Sequence, residues 1–433
     1  MRSRRTLDRR AAGRPLRGAI EVPGDKSISH RAVILGALAS GHSRVAGVNV
    51  GEDVAATAAM MRALGAEVVL DETKSQVEVE GKALHEPEIV LDAGNSGTAL
   101  RTVLGVCAAI DGMAVLTGDA SVRRRPMLRV VEPLRSMGAT IDGRRGGELA
   151  PLVVHGGGLG GRRIDMQVAS AQVTTAVLLA GLHADGTTTV VEAAPSRDHT
   201  ERMLAAAGVE VTRAGRELSV TGGARPATLD FRVPGDLSAA MFLAVAAALV
   251  PGSDLTITGV GLNPTRTGAL DVLRSMGADL DWSVTGESGG EPFGDLRVRA
   301  AGLHGVAISQ DAVPGLIDEI PILAVAAAKA TGTTEITGAA ELRVKESDRI
   351  SAVAAGLRAL GADVEELADG LRIAGGAEFS RGEIDSRGDH RVAMAFAIAA
   401  LVANDNVRVK GWSCVNTSFP DFLDVLASAQ RRA

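Results

Sequence analysis

A short phrase that ends in glycine recurs along the chain at nearly constant spacing. In each copy an amphipathic run leads into the glycine, and an extended run follows directly. This pattern predicts the end of an amphipathic helix, a glycine in the left-handed conformation that closes it, and a strand that begins at once. A weaker sixth copy, Phe422–Leu426, lies near the C-terminus, so we expect about six similar pieces. The five clear copies are 73, 70, 69 and 84 residues apart and have their glycines at Gly65, Gly138, Gly208, Gly277 and Gly361.

A second series of segments alternates with these phrases. Its members are almost wholly apolar and consist mainly of Ala, Val and Leu. A helix that is apolar all round is buried on every side, and small side chains let such helices pack closely. Each of the six repeated segments is therefore predicted to contain a strand, a buried helix, a second strand, an amphipathic helix and a further strand. The apolar segments are 32–40, 99–110, 173–183, 239–250, 322–331 and 392–403.

Six pieces of this size favour two compact domains of three pieces each. A solenoid of six is the alternative, but solenoid repeats are usually about 20–45 residues long. Pro234-Gly235-Asp236 is the expected crossing point between the domains. We predict one domain at residues 20–234 and a second, discontinuous domain formed by residues 1–19 and 235–433.

Charge and composition point to a small anionic ligand. Lys and Arg total 46 and Asp and Glu 52, so the net charge of the 433 residues is −6 and no global basic field attracts nucleic acid. Aromatic residues make up 2% and Tyr is absent, which disfavours base-stacking surfaces. No apolar run reaches the roughly 20 residues of a membrane span. We expect a cytoplasmic protein, with the seven arginines of residues 2–17 in a mobile tail.

Polar and charged residues cluster where the apolar helices begin. The first of these starts, Gly24–Arg31, offers unpaired backbone N–H groups, a helix dipole and two cations, which together suit an anion. Two amphipathic helices also have charged starts: Arg125-Pro126 places proline at a first helical position, and Lys345 and Arg349 are spaced to share one helical face. The alternative is that these are solvated helix starts whose charges occur by chance. Charged residues recur at the same point of successive repeats, however, which argues against chance.

These motifs resemble the 5-enolpyruvylshikimate-3-phosphate synthase family over essentially the whole chain and in the same order. The resemblance implies an α/β (α+β) enolpyruvyl transferase fold of two domains, each made of three βαβαββ units with buried central helices. The residues that carry it are Gly24–Arg31, Gly94–Arg101, Arg125–Met127, Arg343–Arg349 and Asp389–Arg391.

The resemblance implies transfer of the enolpyruvyl group of phosphoenolpyruvate to the 5-hydroxyl of shikimate 3-phosphate, with release of phosphate. By similarity, shikimate 3-phosphate contacts Lys26, Ser27, Arg31, Ser170, Ala171, Gln172, Arg197, Asp318 and Lys345. Phosphoenolpyruvate contacts Lys26, Gly97, Arg125, Gln172, Arg349 and Arg391.

The resemblance also assigns the catalytic roles. Asp318 is the base for the hydroxyl, Glu346 is the proton donor to the methylene carbon, and Lys26 is the third catalytic residue. Neither a metal nor an organic cofactor is implied, and the expected partners are the two small substrates alone. We expect a monomer.

The sequence departs from the family pattern in places. Many members have a lysine where Thr417 stands, and the absence of Tyr removes an aromatic contact to the shikimate ring, for which the charge of Arg197 is a substitute. Gly97 leads to the hypothesis that glyphosate has room beside the first substrate, since alanine there would crowd it.

Two alternatives remain at this point. One is a UDP-N-acetylglucosamine enolpyruvyl transferase, but that family carries a cysteine in the loop that here reads Ser121–Arg125, without cysteine. The other is a non-catalytic anion-binding module, against which the carboxylates of Asp318 and Glu346 argue, because they only repel an anion.

Overall fold

A computed structural model describes residues 4–7 and 13–431, with side chains from Gly13 onward. The chain divides into two compact units. Unit N comprises residues 24–233 and 287–291, and unit C comprises 234–286, 292–433 and the segment up to Pro23. Each unit has its own cluster of buried aliphatic side chains. That the chain forms two independent domains with boundaries at 19/20 and 234/235 remains a prediction.

One structural repeat builds both units. In four repeats two parallel strands are joined through a buried helix, here called an inner helix; in the first five repeats a more exposed outer helix and a hairpin follow. In the first repeat of each unit the parallel partner comes from elsewhere in the chain, Asp230–Arg232 in unit N and Arg17–Ile20 in unit C. In the second repeat, Leu91–Asp92 pairs in parallel with Gly112–Thr117, and the hairpin of Thr140–Gly143 and Leu149–Gly156 completes the sheet. Five such sheets have four strands and the sixth, at the chain ends, has three among the described residues. The expected mixed α/β fold of repeated units is confirmed.

Unit N contains three of the repeats. Its inner helices are Lys26–Leu38, Gly97–Ala109 and Ala171–Gly181, and its outer helices are Glu52–Ala63, Leu128–Ser136 and His199–Ala206. Short helical turns lie at Val122–Arg124 and Arg144–Gly147. The strands are Gly41–Ala46, Glu67–Asp71, Gln76–Gly81, Leu91–Asp92, Gly112–Thr117, Thr140–Gly143, Leu149–Gly156, Arg163–Asp165, Thr187–Val191, Thr212–Ala214, Glu217–Thr221 and Asp230–Arg232.

Unit C contains the other three repeats. Its inner helices are Leu237–Leu249, Ile320–Lys329 and His390–Leu401, and its outer helices are Gly268–Ser275, Arg349–Ala359 and Phe422–Arg431. Short helices lie at Val313–Leu316, Ala340–Val344 and Trp412–Thr417. The strands are Arg4–Leu7, Arg17–Ile20, Asp254–Gly261, Asp279–Ser288, Glu291–Arg299, Ala307–Ile308, Thr333–Ile336, Val364–Glu366, Leu371–Ala374, Gly382–Asp385 and Val407–Lys410.

The inner helices are buried on all sides, as their composition predicts. In Leu237–Leu249, every residue from Leu237 to Ala248 is buried. Small residues allow the close approach: a β-carbon added at Gly105 would lie 2.3 Å from the carbonyl oxygen of Ala176 on the neighbouring inner helix.

The five repeated glycines end the outer helices, as predicted. Their φ angles are all positive, from 77° at Gly208 to 118° at Gly138. At the first of them, the Ala66 N–H reaches back to the Met61 carbonyl at 3.1 Å, which closes the helix end. A left-handed residue lets the chain turn directly into the next strand.

The N-terminal segment is part of a sheet, which corrects one expectation. Arg4–Leu7 is not a mobile tail but a strand that pairs antiparallel with Val407–Lys410, while residues 1–3 and 8–12 lie outside the described residues. Arg17–Ile20 pairs in parallel with Asp254–Ile257. Unit C therefore takes a strand of its first repeat from a segment more than 200 residues away in sequence.

Candidate active site

Lys26 is the first residue of an inner helix in unit N. The Asp25 side chain caps this helix by accepting from the Ile28 N–H at 2.9 Å. The Lys26 ammonium group lies 2.7 Å from a carboxylate oxygen of Asp53, and both side chains are nearly buried. Sequence reasoning missed Asp53, because an acidic residue in the first turn of an outer helix is already explained by the helix dipole.

Arg31 is buried one turn further along the same helix. Its guanidinium donates to the Thr200 hydroxyl and the Thr175 hydroxyl, each at 2.7 Å, and to the Ser27 carbonyl at 2.9 Å. Burial lowers the pKa of Arg31 to about 10, and the charge of nearby Arg197 adds to the lowering. Arg31 therefore remains a cation at neutral pH, and the predicted residues Lys26, Ser27, Arg31 and Arg197 are brought together.

The next inner helix begins beside two further arginines. The Gly97 position faces the Arg125 guanidinium so closely that an added β-carbon would lie 2.7 Å from Nη1. Arg125 is buried, whereas Arg123 and Arg124 are exposed. The helix-start prediction at Pro126 is wrong: the outer helix begins at Leu128, and Arg125 is presented by the turn before it.

Gln172 connects this cation cluster to the third inner helix. Its amide oxygen accepts from Arg101 at 2.7 Å, and its amide nitrogen donates to the Thr98 hydroxyl at 2.8 Å. Ser170 and Ala171 are half-buried at the start of the same helix. Unit N thus gathers one lysine and several arginines around the starts of its inner helices, which suits a ligand with several negative charges.

In unit C the predicted residues form a cluster around Arg349. This side chain is 1% exposed, and each of its three nitrogens contacts a different carboxylate. The distances are 2.9 Å to Asp318 and 2.8 Å to Asp389, and the third contact is to Glu346. Burial by itself lowers the pKa of Arg349, but the carboxylates of Asp389, Glu346 and Asp318 outweigh burial and hold the pKa above its ordinary value.

Asp318 lies between two arginines. One oxygen meets Arg349, and the other is 3.6 Å from Arg391, which also donates to the Asp318 carbonyl at 3.3 Å. Lys345 belongs to the same neighbourhood: burial lowers its pKa, and the charge of Asp318 partly offsets the lowering. Asp318 and Glu346 therefore lie in one neighbourhood with three cations, Lys345, Arg349 and Arg391.

The predicted shared helical face of Lys345 and Arg349 is wrong. Lys345 ends a short 3₁₀ helix in an extended conformation, and the outer helix begins only at Arg349, capped by Asp348. The two cations are nevertheless close enough for Arg349 to lower the pKa of Lys345. Asp348 lies outside the helix, since its side chain accepts from the Ser351 N–H as an N-cap, so Lys345 and Arg349 do not share a helical turn.

Sequence reasoning also missed a buried ion pair behind Asp318. Glu319 accepts from Arg266 at 3.0 Å, and the hydroxyl of Ser238 contacts both side chains. Arg266 lies just before an outer helix, at the repeat position where Arg125 precedes another. That recurrence was the available signal.

The Thr417 hydroxyl, at the position where the resemblance predicts lysine, donates to the Cys414 carbonyl at 2.7 Å. Among the described residues, no group of three or more His, Cys, Asp or Glu is arranged to hold a metal. Over the same part of the chain, no helix has the length and apolar character that crossing a membrane requires.

Comparison with known proteins supports one family throughout the chain. A family model described as EPSP synthase (3-phosphoshikimate 1-carboxyvinyltransferase) matches residues 11–426. A 3-phosphoshikimate 1-carboxyvinyltransferase of Synechococcus sp. (strain JA-3-3Ab) is 54% identical over 420 residues, covering 95% of this chain and 94% of the relative. One from Roseiflexus castenholzii is 52% identical over 420 residues and covers 96% and 97%.

Solved structures agree with the sequence relatives. An EPSP synthase from Acinetobacter baumannii superposes with a TM-score of 0.87 at 41% identity and covers 99% of this chain and 98% of that one. The enolpyruvyl transferase NikO from Streptomyces tendae, at 20% identity and a TM-score of 0.78, covers 96% of each chain and shows the fold alone. The chain belongs to the EPSP synthase family.

Proposed function

We propose that the chain carries out the reaction of this family with the residues predicted from its sequence. The reaction is enolpyruvyl transfer from phosphoenolpyruvate to the 5-hydroxyl of shikimate 3-phosphate, a step of the shikimate pathway to aromatic amino acids. The observation that carries the assignment of roles is the cluster in unit C, where Asp318 and Glu346 both contact Arg349. A pure anion-binding site has no use for two carboxylates at that place.

The binding roles follow the distribution of charge. Both substrates carry a phosphate and a carboxylate, and arginine and lysine at helix starts are suited to these groups. We propose Lys26, Ser27, Arg31, Ser170, Ala171, Gln172, Arg197, Asp318 and Lys345 as the shikimate 3-phosphate contacts. For phosphoenolpyruvate we propose Lys26, Gly97, Arg125, Gln172, Arg349 and Arg391.

Asp318 and Glu346 divide the proton transfers. Asp318 takes the proton of the 5-hydroxyl while the hydroxyl oxygen bonds to C2 of phosphoenolpyruvate. Glu346 gives a proton to C3. The product keeps a methylene double bond, so the Glu346 carboxylate takes a proton back from C3 as the C2–O bond to phosphate breaks. Lys26 and the arginines stabilise the charge on the phosphate that leaves.

The arginines beside Asp318 also explain how substrate binding prepares the base. Asp318 is one of the three carboxylate partners of Arg349 and lies close to Arg391. A phosphoenolpyruvate anion that binds these two arginines competes with Asp318 for them. The Asp318 oxygens then become available to the hydroxyl of the second substrate.

Phosphate release tests the proposal directly. The wild-type chain is expected to release phosphate from phosphoenolpyruvate when shikimate 3-phosphate is present, and not with UDP-N-acetylglucosamine. Asp318→Asn and Glu346→Gln are each expected to lower kcat by about 10²–10⁴-fold, the usual contribution of a general acid or base. Calorimetric binding of shikimate 3-phosphate should change much less than kcat does.

Glu378→Gln provides the matched control, because Glu378 is an exposed glutamate of the same unit. Near-normal kcat in both site variants contradicts their roles. Release with the UDP-sugar instead assigns the chain to the alternative transferase. Binding without release in the wild type points to the anion-binding module.

We further propose that the enzyme acts as a monomer in the cytoplasm. The proposed contacts draw on one chain alone, so the site as proposed does not require a second copy of the chain. Both substrates are multiply charged and do not cross a bilayer unaided, which supports the cytoplasmic location. Light scattering coupled to size exclusion measures the mass of the particle, and a value of twice the 44.3 kDa chain mass contradicts the monomer.

A further inference from the structure

Glu319 and Arg266 form an ion pair in unit C for which the roles above have no use. The Glu319 side chain is fully buried and that of Arg266 is 4% exposed. Arg266 Nη2 donates to Glu319 Oε1 at 3.0 Å and to Ser238 Oγ at 2.6 Å, and the Ser238 hydroxyl donates to the same Oε1. We call these three side chains the buried triad. Charges so deep are costly to desolvate, so a purely packing role would be better filled by apolar side chains.

The Glu319 carboxylate is held by side chains from two other elements. Ser238 lies in the first turn of the inner helix Leu237–Leu249, and Arg266 lies in the loop before the outer helix Gly268–Ser275. Glu319 directly precedes the inner helix Ile320–Lys329 and follows Asp318 in sequence. The triad therefore fixes the chain at the residue next to the proposed base.

The triad also reaches Arg391. Glu319 Oε1 is 4.0 Å from Arg391 Nη1, and that nitrogen donates to the Asp318 carbonyl at 3.3 Å. The second carboxylate oxygen, Glu319 Oε2, is buried and has no hydrogen-bond partner among the described residues. Oε1 is the oxygen that meets both Arg266 and Arg391, so the carboxylate charge of Glu319 attracts both guanidinium groups.

We propose that Glu319, held by Ser238 and Arg266, is a positioning residue for Arg391 and Asp318. The proposal rests on the proposed function, in which Arg391 binds phosphoenolpyruvate and Asp318 is the base. The Glu319 charge keeps Arg391 turned towards the Asp318 carbonyl, and the two hydrogen bonds from the triad fix the peptide that carries Asp318. Glu319 itself touches neither substrate.

The first test separates charge from shape. Glu319→Gln keeps the size and an acceptor oxygen but removes the charge, and Glu319→Asp keeps the charge on a shorter side chain. For Glu319→Gln we expect the KM for phosphoenolpyruvate to rise by about tenfold or more, since small misplacements of substrate-binding groups are costly. The KM for shikimate 3-phosphate should rise less, and Glu319→Asp should recover part of the loss. Glu378→Gln is the matched control.

The second test separates positioning from packing. The double variant Arg266→Met with Glu319→Met replaces the ion pair by apolar side chains of similar length, an exchange that often preserves or raises stability. A positioning role predicts a melting temperature near that of the wild type together with a KM for phosphoenolpyruvate that stays high. A packing role predicts that the melting temperature and the KM for phosphoenolpyruvate of the double variant both return to wild-type values. The double variant also decides the matter if Glu319→Gln does not fold.

Wild-type kinetics in Glu319→Gln, or kinetic recovery in the double variant, overturns the proposal. Absence of phosphate release by the wild type is a different result and contradicts the proposed function. In that case calorimetric titration of phosphoenolpyruvate into enzyme loaded with shikimate 3-phosphate decides the role of Glu319. Tighter binding of phosphoenolpyruvate by the wild type than by Glu319→Gln supports the positioning role. Equal binding by the two proteins, or no binding by either of them, overturns it.

Discussion

At Gly97 the absence of a side chain leaves the space in which two guanidinium groups lie. A β-carbon there would be 2.7 Å from Arg125 Nη1 and 3.2 Å from Arg101 Nη1. Both atoms are the ends of flexible side chains, so alanine displaces cations rather than backbone. The expected damage is therefore to anion binding and not to the fold.

For Gly97→Ala we expect the inhibition constant of glyphosate to rise by about tenfold or more, in line with the usual cost of overpacking. The reason is that the methyl group crowds the space proposed for the inhibitor beside shikimate 3-phosphate. The KM for phosphoenolpyruvate should rise less. Inhibition is measured against phosphoenolpyruvate at saturating shikimate 3-phosphate, with Gly160→Ala, where an added β-carbon has open space, as control. An unchanged glyphosate constant refutes the hypothesis.

Titration of Glu201, in unit N, makes the stability of the folded chain depend on pH. Burial raises the pKa of Glu201 to about 7, although its carboxylate accepts from Arg213 at 3.0 Å. The raised pKa means that the folded chain holds a proton between about pH 4.5 and 7 that the unfolded chain has already lost. The stabilisation is complete below the unfolded pKa and is lost as the pH rises through the folded one.

Glu201→Gln removes this titration. We expect the free energy of unfolding of the variant, relative to wild type, to rise by about 1–3 kcal/mol from pH 4.5 to 7.5. Urea denaturation at a series of pH values measures the difference, and the exposed Glu210→Gln provides the control. A difference that stays constant over this range rules out a buried, titrating Glu201.

At the scale of elements, backbone contact sets how closely the inner helices pack. Alanine is favoured over glycine inside a helix by about 1 kcal/mol. At Gly105, however, the new β-carbon would lie 2.3 Å from the Ala176 carbonyl oxygen and 2.7 Å from its Cα, which are backbone atoms that cannot retreat alone. Overpacking typically costs about 1–3 kcal/mol, so packing outweighs helix propensity.

We therefore expect Gly105→Ala to lower the free energy of unfolding by about 1–2 kcal/mol. Gly160→Ala, in the same unit and with open space around the new methyl group, should be neutral or slightly stabilising. Chemical denaturation followed by circular dichroism compares the two. Equal stability of both variants shows that the inner helices can move apart without cost.

Element by element, the sequence was most informative where one local signal repeats. The glycines at outer-helix ends and the all-apolar inner helices needed no knowledge of distant contacts, so both were predicted correctly. Helix starts were predicted less well. Pro126 and Lys345 lie before the helices they were expected to begin, because capping residues and short 3₁₀ turns occupy the same polar stretches.

For the whole molecule, the limit of sequence reasoning is the pairing of charges that lie far apart along the chain. Arg197 came from the family resemblance alone, whereas most cations of the candidate site were found because they recur at helix starts. Their partners were not: Asp53 is 27 residues from Lys26, and Glu319 is 53 residues from Arg266. Which carboxylate neutralises which cation is decided only when the sheets and inner helices are assembled.

The N-terminal strand offers a test of this long-range assembly. Leu16 is fully buried in the core of unit C, and its N–H donates to the Ser253 hydroxyl at 2.9 Å. Leu16→Ala leaves the backbone bond in place but removes buried methyl groups, which typically costs about 2–5 kcal/mol. Both tryptophans of the chain, Trp282 and Trp412, belong to unit C, so tryptophan fluorescence reports its unfolding selectively.

We expect Leu16→Ala to lower the fluorescence-detected melting temperature by several degrees, since about 1 kcal/mol corresponds to roughly 2–4 °C in a unit of this size. Val284→Ala, at an exposed position of the sheet to which Arg17–Ile20 belongs, should leave it almost unchanged. If both variants melt like the wild type, residues 13–23 do not contribute to the core of unit C, and the pairing of Arg17–Ile20 with Asp254–Ile257 is wrong. If only Leu16→Ala melts early, a segment more than 200 residues away in sequence completes the sheet next to the inner helix that carries Ser238.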